Sequence, residues 1–139
     1  MGSPRISVLV TAYNRKKYLL GAVKSALNQT LPRDRYEVIV VKNFRDDFID
    51  SKLEEWGVIN LYSEQERSGA MAYDGVEVAR GDVICFLDDD DEYEQIRLEV
   101  IARAFQEDDV DFFSNARQYV DESGHVLKRE RRRSTAFKV

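Results

Sequence analysis

The chain has 139 residues, of which 43% are hydrophobic and 11% aromatic, a composition that is typical of a folded protein and excludes an intrinsically disordered one. No apolar run approaches the roughly 20 residues that a membrane-spanning helix needs, and no signal-peptide pattern opens the chain, so we expect neither element. The net charge of -5 is uneven, because residues 128–139 hold six basic residues and one acidic residue; the acidic remainder argues against a nucleic-acid-binding protein.

Four apolar runs alternate with four helical patterns along most of the chain. The runs predict strands over residues 6–10, 36–41, 58–62 and 82–87. In the helical patterns, apolar residues recur three or four positions apart, at Leu19, Val23 and Ala26, at Ile49, Leu53 and Trp56, at Ala72, Val76 and Ala79 (helix 68–79), and at Leu98, Ile101, Ala102 and Phe105 (helix 93–106). Repeated strand–helix units predict an α/β fold with a Rossmann-like, mostly parallel sheet and helices on both faces.

The pattern changes after the fourth helix. Residues 112–120 and 125–128 are separated by an Asp-Glu-Ser-Gly turn, which predicts a C-terminal β-hairpin. We therefore expect one domain over residues 1–128, followed by a basic tail over 129–139. The run KRERRR at 128–133 fits contact with acceptor phosphates or with an anionic membrane surface, and it fits a solvated tail equally well.

The single cysteine, Cys85, lies within an apolar run. It has no second cysteine to pair with, so we expect a buried core thiol. A chain without an internal disulfide is typical of a cytoplasmic protein, and we expect that location, with peripheral contact to a membrane surface as an option.

Two polar loops follow the first and fourth predicted strands. In a doubly wound parallel sheet, ligands bind beyond the carboxyl ends of the strands, where the strand order reverses. That place lies between the first and fourth strands, which are followed by the sequences TAYNR and DDDDEY. The topology therefore predicts a ligand crevice lined by these two loops.

Four consecutive aspartates at the end of a buried strand raise a choice between a solvated acidic turn and a metal site. Alternation along an extended strand end would place Asp88 and Asp90 on one side and Asp89 and Asp91 on the other. Two carboxylates on one side suit Mg²⁺ or Mn²⁺. A calcium loop of the EF-hand type would need glycine in place of Tyr93, and the chain has no P-loop to accompany a Walker B strand.

Several segments together resemble a known family. ISVLVTAYNR, YEVIVVKNFRDD, GVEVARGDVICFLDDDDEY and VDFFSNARQYVDESGHVLK are similar, in order and spacing, to the family 2 nucleotide-sugar-dependent glycosyltransferases with the GT-A fold. The resemblance runs from Ile6 to about Lys128. It implies a metal–nucleotide-sugar donor, and hexosyl transfer with inversion to a sugar or lipid-linked acceptor.

The resemblance also implies roles for particular residues. It places the nucleobase and ribose against Thr11, Ala12 and Tyr13, with Arg15 close by. The D-x-D element of the family aligns with Asp88-Asp89-Asp90. Asp88 or Asp89 is then expected to contact the ribose, and Asp90, with Asp88, to bind Mn²⁺ or Mg²⁺ on the diphosphate of the donor.

The chain departs from the family pattern in three places, one of which is the stretch RSGAMAYDG at residues 67–75, where Ala72 and Tyr73 replace a basic residue and an asparagine of the family. Lys42-Asn43 ends the second strand, where the family usually has two acidic residues of which the first reads the base. Because an ammonium group offers only donors, we expect Lys42 to meet a base with acceptor atoms, or the phosphates. The catalytic base and the acceptor region of the family lie well beyond the D-x-D element, so a non-catalytic or truncated nucleotide-sugar-binding module is the alternative, and a homodimer could supply the missing part.

Overall fold

A computed structural model of the chain describes residues 5–129 and 135–137. Its strands are β1 (Ile6–Ala12), β2 (Tyr36–Lys42), β3 (Ile59–Tyr62), β4 (Val83–Asp88), β5 (Phe112–Ser114), β6 (Gln118–Val120), β7 (Val126–Arg129) and β8 (Thr135–Phe137). Its α-helices are α1 (Leu19–Leu27), α2 (Asp47–Glu55), α3 (Ser68–Val78) and α4 (Arg97–Glu107). The predicted strands and helices are therefore present in the predicted order.

Strands β1 to β4 form one parallel sheet in the order β3-β2-β1-β4. β1 is a central strand of this sheet: its Ile6 lies opposite Tyr36 of β2 on one side and opposite Val83 of β4 on the other. The chain thus builds outward from β1 to β3 and then returns to the free side of β1. The strand order reverses between β1 and β4, as predicted, and the crevice expected there is the place where their carboxyl ends meet.

The two faces of the sheet are packed by different numbers of helices. Alternate residues of β1 face the main core, which is built with α1, α2 and α4, whereas Leu9 faces a smaller core with Met71 of α3. Trp56 ends α2 and packs on the main core, with the Lys24 ammonium 5.5 Å from the centre of its ring. Within residues 5–129 and 135–137, no helix has the length and apolarity needed to cross a membrane.

The buried face of α3 differs from the prediction. We expected Ala72, Val76 and Ala79 to form it, but Met71 and Gly75 are the fully buried residues and Val76 is 41% exposed. The reason is the close approach of α3 to the sheet: a Cβ added at Gly75 would lie 2.7 Å from Leu9 Cδ2. A search for apolar spacing passes over glycine, although here its missing side chain is what allows contact.

Helix α4 begins at Arg97 rather than at residue 93. Tyr93 donates its N–H to Ser25 Oγ (3.0 Å) and its hydroxyl to the Phe86 carbonyl (2.6 Å), and the Gln95 carbonyl accepts from the Thr30 N–H (2.9 Å). These contacts hold residues 93–95 along α1 and the segment that follows it, outside the helix.

The predicted strand over residues 112–120 is two strands. β6 pairs with β7 in the predicted hairpin, whereas β5 pairs with β8. Between β5 and β6, Asn115 accepts a hydrogen bond from Arg97 and donates to the Ala116 carbonyl, which draws the chain out of the ladder. The predicted tail therefore contributes backbone pairing at Arg129 and at Thr135–Phe137, and its other residues lie outside the described part of the chain.

Candidate functional site

The candidate site lies at the carboxyl ends of β1 and β4. Thr11 of β1 stands opposite Asp88 of β4 in the parallel ladder. Two segments leave the sheet here: the β1 loop (residues 13–18) and the acidic turn (residues 88–91). The structure thus brings together the two polar segments that the topology predicted to meet.

The acidic turn departs from an extended strand directly after Asp88. The Asp91 N–H donates to the Asp88 carbonyl (3.1 Å), so the chain turns and the alternation of side chains ends. Carboxylate oxygens of Asp88, Asp90 and Asp91 come within 4.8 Å of one another. The predicted grouping of Asp88 with Asp90 is confirmed, whereas the expectation that Asp91 lies with Asp89 on the other side is wrong.

Three converging carboxylates make a repulsive site without a cation. Partial burial raises the pKa of Asp91 above its ordinary value, and the neighbouring charges of Asp90 and Asp88 raise it further, against an opposing effect of Arg117. Hard oxygen ligands gathered in one place are the donor set that Mg²⁺ and Mn²⁺ take. The arrangement can therefore hold a divalent cation.

Asp89 is the buried member of the four aspartates, with 5% of its surface exposed. Arg15 of the β1 loop donates from Nε to Asp89 Oδ2 (2.6 Å) and from Nη2 to Asp89 Oδ1 (2.8 Å), and the same Nη2 lies 3.3 Å from Asp90 Oδ2. These hydrogen bonds and the charge of Asp89 raise the pKa of Arg15 above its already high ordinary value. The predicted contacts of Arg15 and Asp89 with the nucleotide-sugar donor stay predictions. In the structure the two side chains bind each other.

The β1 loop is also tied to the end of β2. Asn14 has a left-handed backbone (φ 54°), its N–H donates to Asn43 Oδ1 (2.7 Å), and Asn43 Nδ2 donates back to Asn14 Oδ1 (2.8 Å). The sequence analysis missed this reciprocal amide pair. One signal was available, since asparagine is among the few residues that adopt positive φ readily.

Thr11, Ala12 and Tyr13 run from the end of β1 into this loop. Ala12 is fully buried, Thr11 is half-buried and Tyr13 has 46% of its surface exposed. Tyr13 therefore presents an aromatic ring to solvent beside the crevice.

The turn of the β6–β7 hairpin contacts the other end of the β1 loop. Tyr18 donates its hydroxyl to Glu122 Oε1 (2.9 Å), and the Lys17 ammonium lies 3.4 Å from the same oxygen. The Tyr18 hydrogen bond and the Lys17 charge lower the pKa of Glu122. The hairpin is thereby joined to the loop that supplies Arg15.

Lys42 ends β2 and is 1% exposed. Its ammonium lies 2.7 Å from Asp50 Oδ1 and donates to the Phe44 carbonyl (2.9 Å). Burial raises the pKa of Asp50, but hydrogen bonds from Lys42 and Asn60 outweigh it and the net pKa is lowered. The predicted contact of Lys42 with a donor stays a prediction, and the structure shows its charge compensated by α2.

Comparison with known proteins gives a match to a family model and a similar curated sequence. Residues 7–138 match the model of the family described as Glycosyl transferase family 2. The candidate glycosyltransferase EpsH of Bacillus subtilis (strain 168) is 32% identical over 127 residues, which are 87% of this chain and 36% of EpsH.

Two solved structures share the fold. Residues 1–349 of S. aureus TarS, in complex with UDP-GlcNAc, superpose with a TM-score of 0.70 at 23% identity, over 89% of this chain and 37% of that one. The mannosyltransferase PcManGT from Pyrobaculum calidifontis, in complex with GDP-Man and Mn²⁺, gives 0.65 at 20% identity, over 84% and 36%. The chain thus spans well under half the length of each of these three proteins.

Proposed function

The chain belongs to glycosyl transferase family 2, and we propose that it binds a nucleotide-sugar donor across the carboxyl ends of β1 and β4. The observation that carries the proposal is the convergence of Asp88, Asp90 and Asp91 beside the β1 loop. The shared fold with TarS, solved with UDP-GlcNAc, and with PcManGT, solved with GDP-Man and Mn²⁺, supports this class of ligand.

Asp88 and Asp90 would hold a Mn²⁺ or Mg²⁺ ion, with Asp91 in reach as a further ligand. The residues fit such an ion because all three offer carboxylate oxygens, and these oxygens lie within 4.8 Å of one another. When bound, the cation supplies charge stabilisation for the departing nucleoside diphosphate. The role of the chain is to keep these three carboxylates in place.

Thr11 and Tyr13 would contact the nucleoside. Tyr13 exposes its ring for contact with the base, and Asp88 stands opposite Thr11, where a ribose hydroxyl would find a carboxylate acceptor. Lys42 offers no carboxylate to the N3–H of uracil, and Asp50 already binds its ammonium. We therefore expect UDP to have no special advantage over other nucleoside diphosphates.

The reaction proposed for the family member is hexosyl transfer with inversion to a sugar or lipid-linked acceptor. It needs a general base within hydrogen-bond reach of the acceptor hydroxyl. In the crevice, Asp89 is bound by Arg15, and the other three aspartates converge on the proposed cation. A second copy of the chain, or a further region, would supply the base, and a nucleotide-sugar-binding module without transfer is the second candidate.

Isothermal titration of UDP and GDP into the 139-residue chain, with and without Mn²⁺, tests the proposal. Binding that requires Mn²⁺ and weakens at least ~10-fold in Asp90→Asn, about 1.4 kcal/mol, is the expected result. Asp34→Asn is the matched control, because Asp34 is exposed and precedes β2 at the opposite end of the sheet. Equal Mn²⁺-dependent affinity in the wild type and Asp90→Asn would exclude this ligand assignment.

A further inference from the structure

We propose that Arg15 and Asp89 form a positioning pair that sets the spacing of Asp88, Asp90 and Asp91 for a divalent cation. Asp89 is thereby a buried anchor of the acidic turn and not one of its ligands. The inference rests on the proposed cation function and deepens it, because it assigns the two residues that prepare the site.

The first step is the burial of Asp89. A carboxylate with 5% exposure has lost most of its contact with water, and burial is costly unless hydrogen bonds and an opposite charge replace that water. Arg15 provides both with a planar fork, at 2.6 Å and 2.8 Å, the geometry that fixes orientation as well as distance. The direction of Asp89 relative to the β1 loop is therefore determined by the pair.

The second step is the effect on the neighbours. Asp89 lies between Asp88 and Asp90 in a turn closed by the hydrogen bond from Asp91 to Asp88. With Asp89 held inward by Arg15, the three carboxylates around it are the exposed ones, and their oxygens meet within 4.8 Å. Release of Asp89 would let the turn place a different set of aspartates outward.

The β1 loop that carries Arg15 is itself held in place. The preceding residue, Asn14, is held to Asn43 by two hydrogen bonds, at 2.7 Å and 2.8 Å. The β1 loop is thus bound to β2 on one side and, through Arg15, to the acidic turn on the other. A fixed loop can impose a position on the turn, which a mobile loop could not.

Charge alone predicts the opposite behaviour, and this makes the inference testable. Arg15 Nη2 lies 3.3 Å from Asp90 Oδ2, so its positive charge repels a cation bound there. If charge dominated, removal of Arg15 would strengthen Mn²⁺ binding. If positioning dominates, loss of the pair weakens binding, and groups that orient metal ligands typically contribute about 10–100-fold in affinity.

The experiment measures Mn²⁺ binding to the full chain, without nucleotide, by the loss of the free Mn²⁺ signal in electron paramagnetic resonance. Arg15→Lys keeps the charge and loses the fork. The double variant Arg15→Met/Asp89→Asn leaves the net charge unchanged and removes the buried carboxylate together with its partner. It is measured as the second variant in case Arg15→Lys does not fold. Lys16→Met removes one charge from the adjacent residue, which pairs with Asp46, and measures the effect of charge alone.

We expect Mn²⁺ affinity to fall at least ~10-fold in Arg15→Lys and in the double variant. Circular dichroism should show that the double variant is folded. Lys16→Met should bind Mn²⁺ as tightly as the wild type or more tightly. A folded double variant with wild-type Mn²⁺ affinity would overturn the inference and leave the proposed function standing. If that variant also bound nucleotide more weakly than the wild type, Asp89 would be assigned to the ribose instead. A wild type that binds no Mn²⁺, alone or with nucleotide, would overturn both.

Discussion

Gly75 is a point of close contact between α3 and the sheet, and replacing it with alanine tests the packing described above. The added Cβ would lie 2.7 Å from Leu9 Cδ2, 3.1 Å from Leu9 Cγ and 3.0 Å from Val41 Cγ2. Leu9 and Val41 are fully buried in strands, and the branched Val41 side chain has little rotational freedom. Neither neighbour can move aside without disturbing β1 or β2.

The expected magnitude follows from two opposing effects. Overpacking of a core costs about 1–3 kcal/mol, and the fully buried neighbours place this site in the upper half of that range. Alanine is the better helix former by about 1 kcal/mol, which offsets part of the cost. Gly75→Ala should therefore lower the free energy of unfolding by about 1–2 kcal/mol.

Gly69 of the same helix is the matched control. A Cβ there meets nothing within 4 Å, so Gly69→Ala should raise the free energy of unfolding by about 0.5–1 kcal/mol. Urea denaturation followed by circular dichroism measures both variants against the wild type. A Gly75→Ala chain as stable as Gly69→Ala would refute the argument that close approach, and not helix propensity, selects glycine at residue 75.

Three further predictions concern the crevice. The wild type should bind UDP, GDP, CDP and dTDP without a preference for UDP, because Lys42 stands where a carboxylate would accept the N3–H of uracil; a clear UDP preference that survives Lys42→Ala, seen by calorimetry, would show that this position does not read the base. In the metal-free chain, Asp91→Asn should raise stability at pH 7, because the raised pKa of Asp91 means that folding disfavours its charged form, and the gain should shrink as the pH falls through that pKa; a gain that grows on acidification in urea titrations would contradict the sign. The chain alone should release nucleoside diphosphate slowly in the presence of Mn²⁺ and acceptors, and acceptor-dependent turnover near ~1 s⁻¹ would show that it contains its own general base.

The parallel sheet was predictable because β1, β2 and β4 are β-rich apolar runs; β1 and β2 are buried over nearly their whole length, and β4 at every second residue. The alternation of such runs with helical patterns then leaves few topologies, and the position of the crevice follows from the order of strands. Local pattern was sufficient here, since each strand is recognisable from its own residues.

The arrangement of the acidic turn was less predictable, because it depends on a partner far away in the chain. Alternation grouped Asp88 with Asp90 correctly, but the outward position of Asp91 follows from a turn that ends the strand at Asp88. Arg15 and Asp89 are 74 residues apart, and nothing in DDDDEY alone selects which aspartate is buried. Lys42 shows the same limit, since its charge is compensated by Asp50 from the following helix.

Trp56 is the one tryptophan of the sequence, and it ends α2, the helix that leads from the carboxyl end of β2 back to the start of β3. Its indole packs on the main core beneath the Lys24 side chain, so its emission should shift to longer wavelength when that core admits water and should stay constant when ligands occupy the carboxyl ends of the strands. The chain thus contains a natural optical reporter that separates unfolding from ligation. A variant of the β1 loop or the acidic turn can be scored for folded fraction in the same cuvette in which its affinity is measured, without any label.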